Sequence, residues 1–136
     1  MSEQNKAVVR RFLVALGKGD GAALSEIFSP DAQAIAMGFG AMSATRSYDE
    51  IVNTAGLLSQ LAPEGIEFTV VSMTAEDDRV SCEAEGKSTL INGVPYNNQY
   101  HFLATVRDGK IARLKEYYCT KLTDDTLRPL IVAATA

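Results

Sequence analysis

The sequence has very few side chains of the kinds that bind metals or carry out redox chemistry. Its 136 residues include one His, two Cys and no Trp. The cysteines, Cys82 and Cys119, lie far apart in the sequence and form no C-x-x-C redox motif. One His and two distant cysteines do not supply a zinc site of the usual ligand count. We therefore expect neither a metal nor another cofactor.

Clustered basic charge and long apolar runs are also missing. Thirteen Lys and Arg residues against seventeen Asp and Glu residues give a formal net charge of −4. An acidic chain with scattered basic residues is a poor candidate for binding nucleic acid or an anionic membrane. No segment has the ~20 apolar residues of a membrane span, and the first residues contain no signal-peptide run. We therefore expect a cytoplasmic protein whose cysteines stay reduced.

The chain is long enough and apolar enough to form one folded domain. Domains typically contain roughly 100–150 residues. The hydrophobic fraction, 46%, is ordinary for a protein with a buried core. Repeats, linkers and low-complexity tracts are not evident. We therefore expect residues 1–136 to form a single domain.

The beginning of the sequence has the periodicity of helices. Apolar residues recur at helical spacing over residues 3–17, and closely spaced glycines end this pattern. Asp20 is placed to cap a short second helix, which includes Phe28 and stops before Pro30. Two helices are therefore predicted here.

A third helix is predicted by a capping box. Ser47 and Glu50 have the spacing at which each side chain satisfies the backbone N–H of the other. Pro63 follows the end of the apolar pattern of this helix. Residues 31–37, between the second and third helices, are predicted to form a short strand.

The second half of the sequence has the composition of strands. Four segments are rich in β-branched and aromatic residues: residues 66–74, 79–91, 95–107 and 110–120. Asn-Gly at 92–93 and Asp-Gly at 108–109 are strong hairpin signals. Helices followed by an antiparallel meander predict an α+β fold with the helices on one face of a bent sheet. Residues 123–136 are weakly patterned, and Pro129 is expected to limit any helix there to a turn or two.

The turn at 108–109 decides which residues face the interior, because a slip of one residue exchanges the two faces of a strand. A two-residue turn places His101 opposite Glu116. A three-residue loop, with Gly109 in a left-handed bulge position, places Tyr100 opposite Glu116 instead. Hydrophobicity favours the loop, which puts Glu116 on one face with the apolar residues Tyr96, Tyr100, Phe102, Ala104, Ala112, Leu114 and Tyr118.

The other face of these strands is predicted to be polar. It holds Asn97, Gln99, His101, Arg113 and Lys115, which suits water or a polar interface. In the strand before them, polarity directs Val80, Cys82 and Ala84 inward and Glu83, Glu85 and Lys87 outward. A different turn at 92–93, or a bulge, would reverse that assignment.

Several segments resemble the SnoaL-like branch of the nuclear transport factor 2-like superfamily. They are residues 11–20, 92–102, 107–111 and 115–118. The superfamily includes ketosteroid isomerase, limonene epoxide hydrolase, scytalone dehydratase and polyketide cyclases. The resemblance implies a cone-shaped, cystatin-like fold in which three N-terminal helices pack on a curved antiparallel sheet around an internal pocket. It also implies a homodimer, since relatives often associate through their sheets.

The catalytic residues of these relatives are poorly matched. Ketosteroid isomerase would need a Tyr at Phe12, a general-base Asp at Ala36 and a second acid near Phe102. Limonene epoxide hydrolase would place an Arg and an Asp near Glu83 and Glu85 and its other Asp at Glu116. Its Tyr and Asn would fall near Ala34 and Ala36. Only the carboxylate at Glu116 is retained in kind.

Glu116 is the best candidate for catalysis. A carboxyl group in an apolar pocket has a raised pKa, which suits a general acid or base near neutral pH. Tyr100 and Tyr118 are candidates for donating to a developing oxyanion or orienting a water. The other interpretation of Glu116 is a carboxylate at the pocket rim, or one paired with tyrosine hydroxyls, Lys or Arg.

Six more residues are expected to contact a ligand: Phe12, Met37, Tyr48, Asn98, Phe102 and Leu114. The aromatic ones are otherwise core residues, and Asn98 is otherwise a buried amide satisfied by the backbone. We thus expect a protein that binds a small apolar or moderately polar molecule and catalyses isomerisation, hydration or cyclisation by acid–base chemistry. The alternative is a non-catalytic ligand-binding or dimerisation module of the same fold.

Overall fold

The structure, a computed structural model, describes residues 2–136, and these begin with two helices. Helix α1 (Ser2–Lys18) buries the predicted apolar stripe, including Val9 and Phe12. Helix α2 (Gly21–Ile27) is capped by Asp20, whose Oδ1 accepts a hydrogen bond from the Ala23 N–H at 3.0 Å. The prediction that Phe28 belongs to this helix is wrong, because Phe28 is the first residue of a strand.

Two strands separate α2 from the third helix. Strand β1 (Phe28–Ala36) and the short strand β2 (Ala44–Ser47) pair in an antiparallel hairpin. Helix α3 (Tyr48–Leu61) begins at the predicted capping box, in which Ser47 and Glu50 satisfy one another's backbone N–H groups. The three helices are therefore present, but they do not form one uninterrupted block before the sheet.

The second half of the chain completes a six-stranded curved sheet. Its strands are β3 (Glu67–Glu76), β4 (Arg79–Lys87), β5 (Asn98–Arg107) and β6 (Lys110–Tyr118). The order across the sheet is β2-β1-β6-β5-β4-β3, and only the β1–β6 pair is parallel. Strands β4 and β5 are shorter than predicted, because residues 88–97 form a loop that turns at Asn92 and Gly93.

The hairpin between β5 and β6 differs from both predicted registers. Asp108 and Gly109 form a two-residue turn with φ of 52° and 76°, a type I′ geometry that Asp-Gly favours. An irregularity follows, since Val106 pairs with Ile111 and Thr105 with Arg113. Strand β6 therefore has one extra residue, Ala112, and neither Tyr100 nor His101 lies opposite Glu116. Its partner is Phe102.

Despite that error, the predicted faces are correct for Phe102, Leu114 and Glu116, whereas Ala112, also predicted to face inward, is the unpaired residue and Ile111 is buried beside it. Phe102 and Tyr100 are two residues apart on β5, so they share a face, and Glu116 remains on the apolar side. On β4, Cys82 and Ala84 are buried whereas Glu83 and Glu85 are exposed, as polarity predicted. We call the side with Phe102 and Glu116 the inner face and the side with Glu83 and His101 the outer face.

The end of the chain is helical, contrary to prediction. Helix α4 (Thr120–Leu122), a π-helical turn (Thr123–Leu127) and helix α5 (Arg128–Thr135) follow one another without a break. We call residues 120–135 the C-terminal segment. Pro129 does not end it, and it lies in the first turn of α5, directly after the π-helical turn. Within residues 2–136, no helix is long and apolar enough to cross a bilayer.

Candidate functional site

An apolar cavity of about 190 Å³ lies between the inner face of the sheet, helices α1 and α3, and the C-terminal segment. Most of its wall is aliphatic or aromatic. The polar side chains in the wall are Arg46, Thr54, Tyr96, Tyr100, Glu116, Tyr118 and Thr123. Among the described residues of this wall, Glu116 is the one carboxylate and Arg46 the one cation. Protein cavities of this kind commonly bind small molecules through a few polar groups in an apolar surround.

Glu116 is placed in the cavity by the middle of the sheet. Its neighbours across the sheet are Ala36 on β1 and Phe102 on β5, and Cys82 follows beyond Phe102. Burial raises the pKa of the Glu116 carboxyl above its ordinary value, and the positive charge of Arg46 opposes this shift. The raised pKa lets the carboxyl keep its proton to a higher pH than an exposed glutamate does.

Tyr100 and Tyr118 lie next to Glu116 on the same face. They are directly opposite one another on β5 and β6, with ring centroids 6.0 Å apart. Burial raises the pKa of Tyr100 well above its ordinary value and that of Tyr118 to about 12. Both phenols therefore keep their protons at neutral pH and remain hydrogen-bond donors. Phe102 orients Tyr100, because the two rings stack at 5.3 Å.

Three of the six predicted ligand residues line the cavity. Phe12, Phe102 and Leu114 are in its wall, whereas Met37, Tyr48 and Asn98 are not. The Met37 N–H donates to the Glu116 carbonyl oxygen at 2.9 Å, so Met37 supports the site through its backbone. Tyr48 packs against the core, and its hydroxyl donates to the Ser25 carbonyl oxygen at 2.6 Å.

Asn98 has the alternative role that the sequence allowed for it, that of a buried and satisfied amide. Its Nδ2 lies 3.2 Å from each of three acceptors, the Tyr96 hydroxyl, the Thr123 hydroxyl and the Cys119 carbonyl oxygen. Its Oδ1 accepts from the Cys119 N–H at 3.2 Å. Cys119 itself makes no side-chain cap. Asn98 therefore attaches the C-terminal segment, and with it one wall of the cavity, to the sheet.

Arg46 is the site residue that sequence reasoning missed. It pairs with Ala34, which in turn pairs with Leu114, so its position in the sheet belongs to the inner face. Glycines 38 and 40 obscured strand β2, and without a strand there was no alternation from which to assign a face. The available signal was the capping box, because it fixes Ser47 as the last residue before α3 and leaves Arg46 in an extended segment.

The comparison with protein families identifies the chain. A sequence profile described as a SnoaL-like domain matches residues 9–114. The chain belongs to the SnoaL-like family. No curated protein matches the sequence. In this SnoaL-like protein, Phe12, Ala36 and Phe102 are all buried.

Solved structures share the fold of this SnoaL-like protein. PrhC from Penicillium brasilianum NBRC 6234 has a TM-score of 0.84 at 14% identity, with 98% of this chain and 91% of that one covered. A nuclear transport factor 2-like protein from Burkholderia xenovorans LB400 has a TM-score of 0.70 at 20% identity, with 90% and 94% covered. A proposed SnoaL-like polyketide cyclase from Jannaschia sp. CCS1 has a TM-score of 0.73 at 18% identity, with 90% and 92% covered. At these identities the likeness concerns the fold, since one scaffold hosts unrelated chemistries.

Proposed function

We propose that the protein binds a small apolar or moderately polar molecule in the cavity and transfers a proton to or from it through Glu116. One observation carries the proposal: Glu116 is the one carboxylate among the described residues of a wall that is mostly apolar. Desolvation brings the pKa of a carboxyl closer to neutral, where proton transfer in both directions is efficient. Isomerisation, hydration and cyclisation all contain such a step.

Tyr100 and Tyr118 would assist by stabilising negative charge. Their raised pKa values keep both hydroxyls protonated, so each can donate a hydrogen bond to an oxygen that becomes negative as the proton moves. Phe12, Phe102 and Leu114 would hold the apolar part of the molecule. In many small-molecule sites, apolar side chains likewise bind the ligand and a few polar groups fix its orientation.

The test combines ligand identification with two matched variants. Native mass spectrometry of the purified protein identifies a retained small molecule, and its conversion is then followed by NMR. We expect Glu116→Gln to lower turnover roughly 10²–10⁴-fold, the usual contribution of a general acid or base. Glu85→Gln, which changes an exposed outer-face carboxylate, should leave turnover unchanged. Turnover that persists in Glu116→Gln would refute the catalytic role.

The rival function is ligand binding without catalysis. It predicts a retained molecule that is never converted, together with binding that Glu116→Gln leaves intact. In a titration of ¹³C-labelled glutamates, a Glu116 pKa that is not raised above its ordinary value of 4.5 would count against the acid–base role and would leave ligand binding untouched. The location in the cytoplasm and the exclusion of nucleic acid stay predictions of the sequence.

We also propose that two copies associate through the outer face. It is polar, with Gln99, His101 and Arg113 exposed, but it also carries Tyr117, which is 40% exposed. Tyrosines amid polar groups are common at wet interfaces. Light scattering at micromolar concentration should give the mass of a dimer, and Tyr117→Glu should shift it toward that of a monomer. A monomeric mass for the unmodified protein would refute this proposal.

A further inference from the structure

Arg46 forms no salt bridge with any described carboxylate, although its charge favours the ionised forms of the nearby Glu50 and Glu116 carboxyls. The ion pairs among the described residues are Lys6–Glu3, Arg107–Asp78 and Lys121–Asp125, and none includes Arg46 or Glu116. One guanidinium nitrogen, Nη2, donates to the Met42 carbonyl oxygen at 3.0 Å. An arginine has five N–H donors, so most of those of Arg46 remain available beside the cavity.

In the sheet, Arg46 is separated from Glu116 by strand β1. Ala34, its partner, and Ala36, the partner of Glu116, are the inner-face residues of β1 between the two charged groups. Of these two alanines, Ala34 lines the cavity, as do Arg46 and Glu116. A ligand inside the cavity can therefore contact both charged groups.

The wall carries one cation and one carboxylate among its described residues. Burial disfavours the charged form of Glu116, whereas Arg46 favours it, and the guanidinium is the group of this wall that can hold an anion. A half-buried cation among apolar groups is poorly solvated, and an anion on the guanidinium restores the lost stabilisation. The planar fork of arginine matches the two oxygens of a carboxylate.

We propose that Arg46 selects ligands that carry a carboxylate, and that the cavity therefore accepts small apolar carboxylic acids. The inference deepens the proposed function, since it concerns the same cavity, but it does not require Glu116 to be catalytic. The size of the cavity limits the size of the apolar part of the ligand. At about 190 Å³ it is somewhat larger than the ~150 Å³ apolar cavity known to bind benzene. A single ring with a short acidic side chain fits this space.

The experiment compares an acid with its neutral isostere. Phenylacetate and phenylacetamide share their ring and shape, and their binding at neutral pH is measured by calorimetry and by ¹H–¹⁵N chemical-shift changes. We expect phenylacetate to bind roughly 10- to 100-fold more tightly than the amide, the ratio typical of a charge-assisted hydrogen bond. In Arg46→Gln this ratio should fall to near one, mainly through weaker binding of the acid.

Two further variants keep the test decisive. Arg46→Lys retains the positive charge but not the planar guanidinium, so it should preserve part of the preference for phenylacetate. This variant also tests the proposal if Arg46→Gln folds poorly. Arg113→Gln removes an exposed cation of the outer face and should leave the ratio unchanged. A wild-type protein that shows no preference for the acid, or no binding of phenylacetate at millimolar concentration, would overturn the inference. So would a preference that survives in Arg46→Gln or disappears equally in Arg113→Gln.

The outcome is separable from that of the proposed function. A preference for the acid that depends on Arg46, together with an ordinary pKa and no catalytic effect at Glu116, would leave the ligand class standing and remove the acid–base role. If instead the preference for the acid does not depend on Arg46 and the pKa of Glu116 is strongly raised, the acid–base role would stand and the proposed ligand class would fall.

Discussion

The two faces of the sheet are built from alternate residues of the same strands, yet they have different chemistry. On β5, Phe102 is 1% exposed on the inner face, whereas the adjacent His101 is exposed on the outer face, where its Nε2 lies 2.6 Å from the Ser81 hydroxyl. Carboxylates show the same contrast. Glu83 is in water and accepts a hydrogen bond from Ser72 at 2.8 Å, whereas burial raises the pKa of Glu116.

Residue type alone does not make a functional group in this protein. Glutamates and tyrosines occur on both faces, with Tyr117 outside and Tyr118 inside, one residue apart. Exposure to the apolar cavity gives Glu116 and Tyr118 their raised pKa values. The informative tests therefore replace a residue on the inner face and, as a matched control, its neighbour on the outer face of the same strand.

The largest effect is expected from removing the inner-face ring of Phe102. The Phe102 ring packs edge-on against the rings of Phe12 and Phe68, with ring centroids 5.5 and 6.2 Å apart, and it stacks on Tyr100. Phe102→Ala should lower the free energy of unfolding by about 3–5 kcal/mol, because it removes a buried ring and leaves a void. His101→Ala, one residue away on the outer face, should change it by less than about 0.5 kcal/mol. Urea denaturation measures both, and similar costs for the two variants would contradict the contrast between the faces.

A smaller loss is expected at Asn98, at the inner-face end of β5. Asn98→Ala leaves the Cys119 N–H without its side-chain acceptor and removes the links to Tyr96 and Thr123. The cost should be about 1–3 kcal/mol, typical of a buried polar group that loses its partner. Hydrogen exchange should rise in the C-terminal segment more than in β3 or β4, since Asn98 joins that segment to the sheet.

The control for Asn98 is again the next residue. Gln99 is exposed on the outer face, and Gln99→Ala should leave exchange in the C-terminal segment unchanged. If Asn98→Ala destabilised the whole chain without a local increase in exchange, Asn98 would be a general core residue rather than the attachment of the cavity wall.

These faces were predictable from sequence because alternation and capping are local. Ser47 and Glu50 lie three residues apart, so the start of α3 could be located without any tertiary information. The inward placement of Glu116 followed from the apolar pattern around it, and the extra residue Ala112 changed its partner without changing its face.

The errors of the sequence reasoning arose where distant residues decide the structure. The C-terminal segment has little pattern of its own, and it is helical because Thr123 and Leu127 are buried against residues that include Leu61 and Tyr96. Arg46 enters the cavity wall because β2 pairs with β1 and β1 pairs in parallel with β6. A parallel pairing across some 80 residues has no local signature, so the capping box could place Arg46 in an extended segment but could not place it on the face of Glu116.

The smallest effect is a change in pH dependence at Glu116. Because its pKa in the folded protein is raised above the ordinary 4.5, the folded state binds the Glu116 proton more tightly than the unfolded state does. Stability should therefore fall as pH rises from about 4.5 through the folded-state pKa and stay lower above it. Glu116→Gln has no proton to lose at this position, so its free energy of unfolding should rise relative to wild type across that window.

Urea denaturation at a series of pH values measures this difference directly. Other titrating groups affect wild type and variant alike and cancel when the two curves are subtracted, provided that Glu116 is not strongly coupled to them. Tyr100 and Tyr118 interact with the charge of Glu116, and their raised pKa values keep both phenols protonated over this window. A Glu116→Gln curve parallel to that of wild type would mean that the folded and unfolded states bind the Glu116 proton equally well, and the contrast between the two faces would then be one of packing alone.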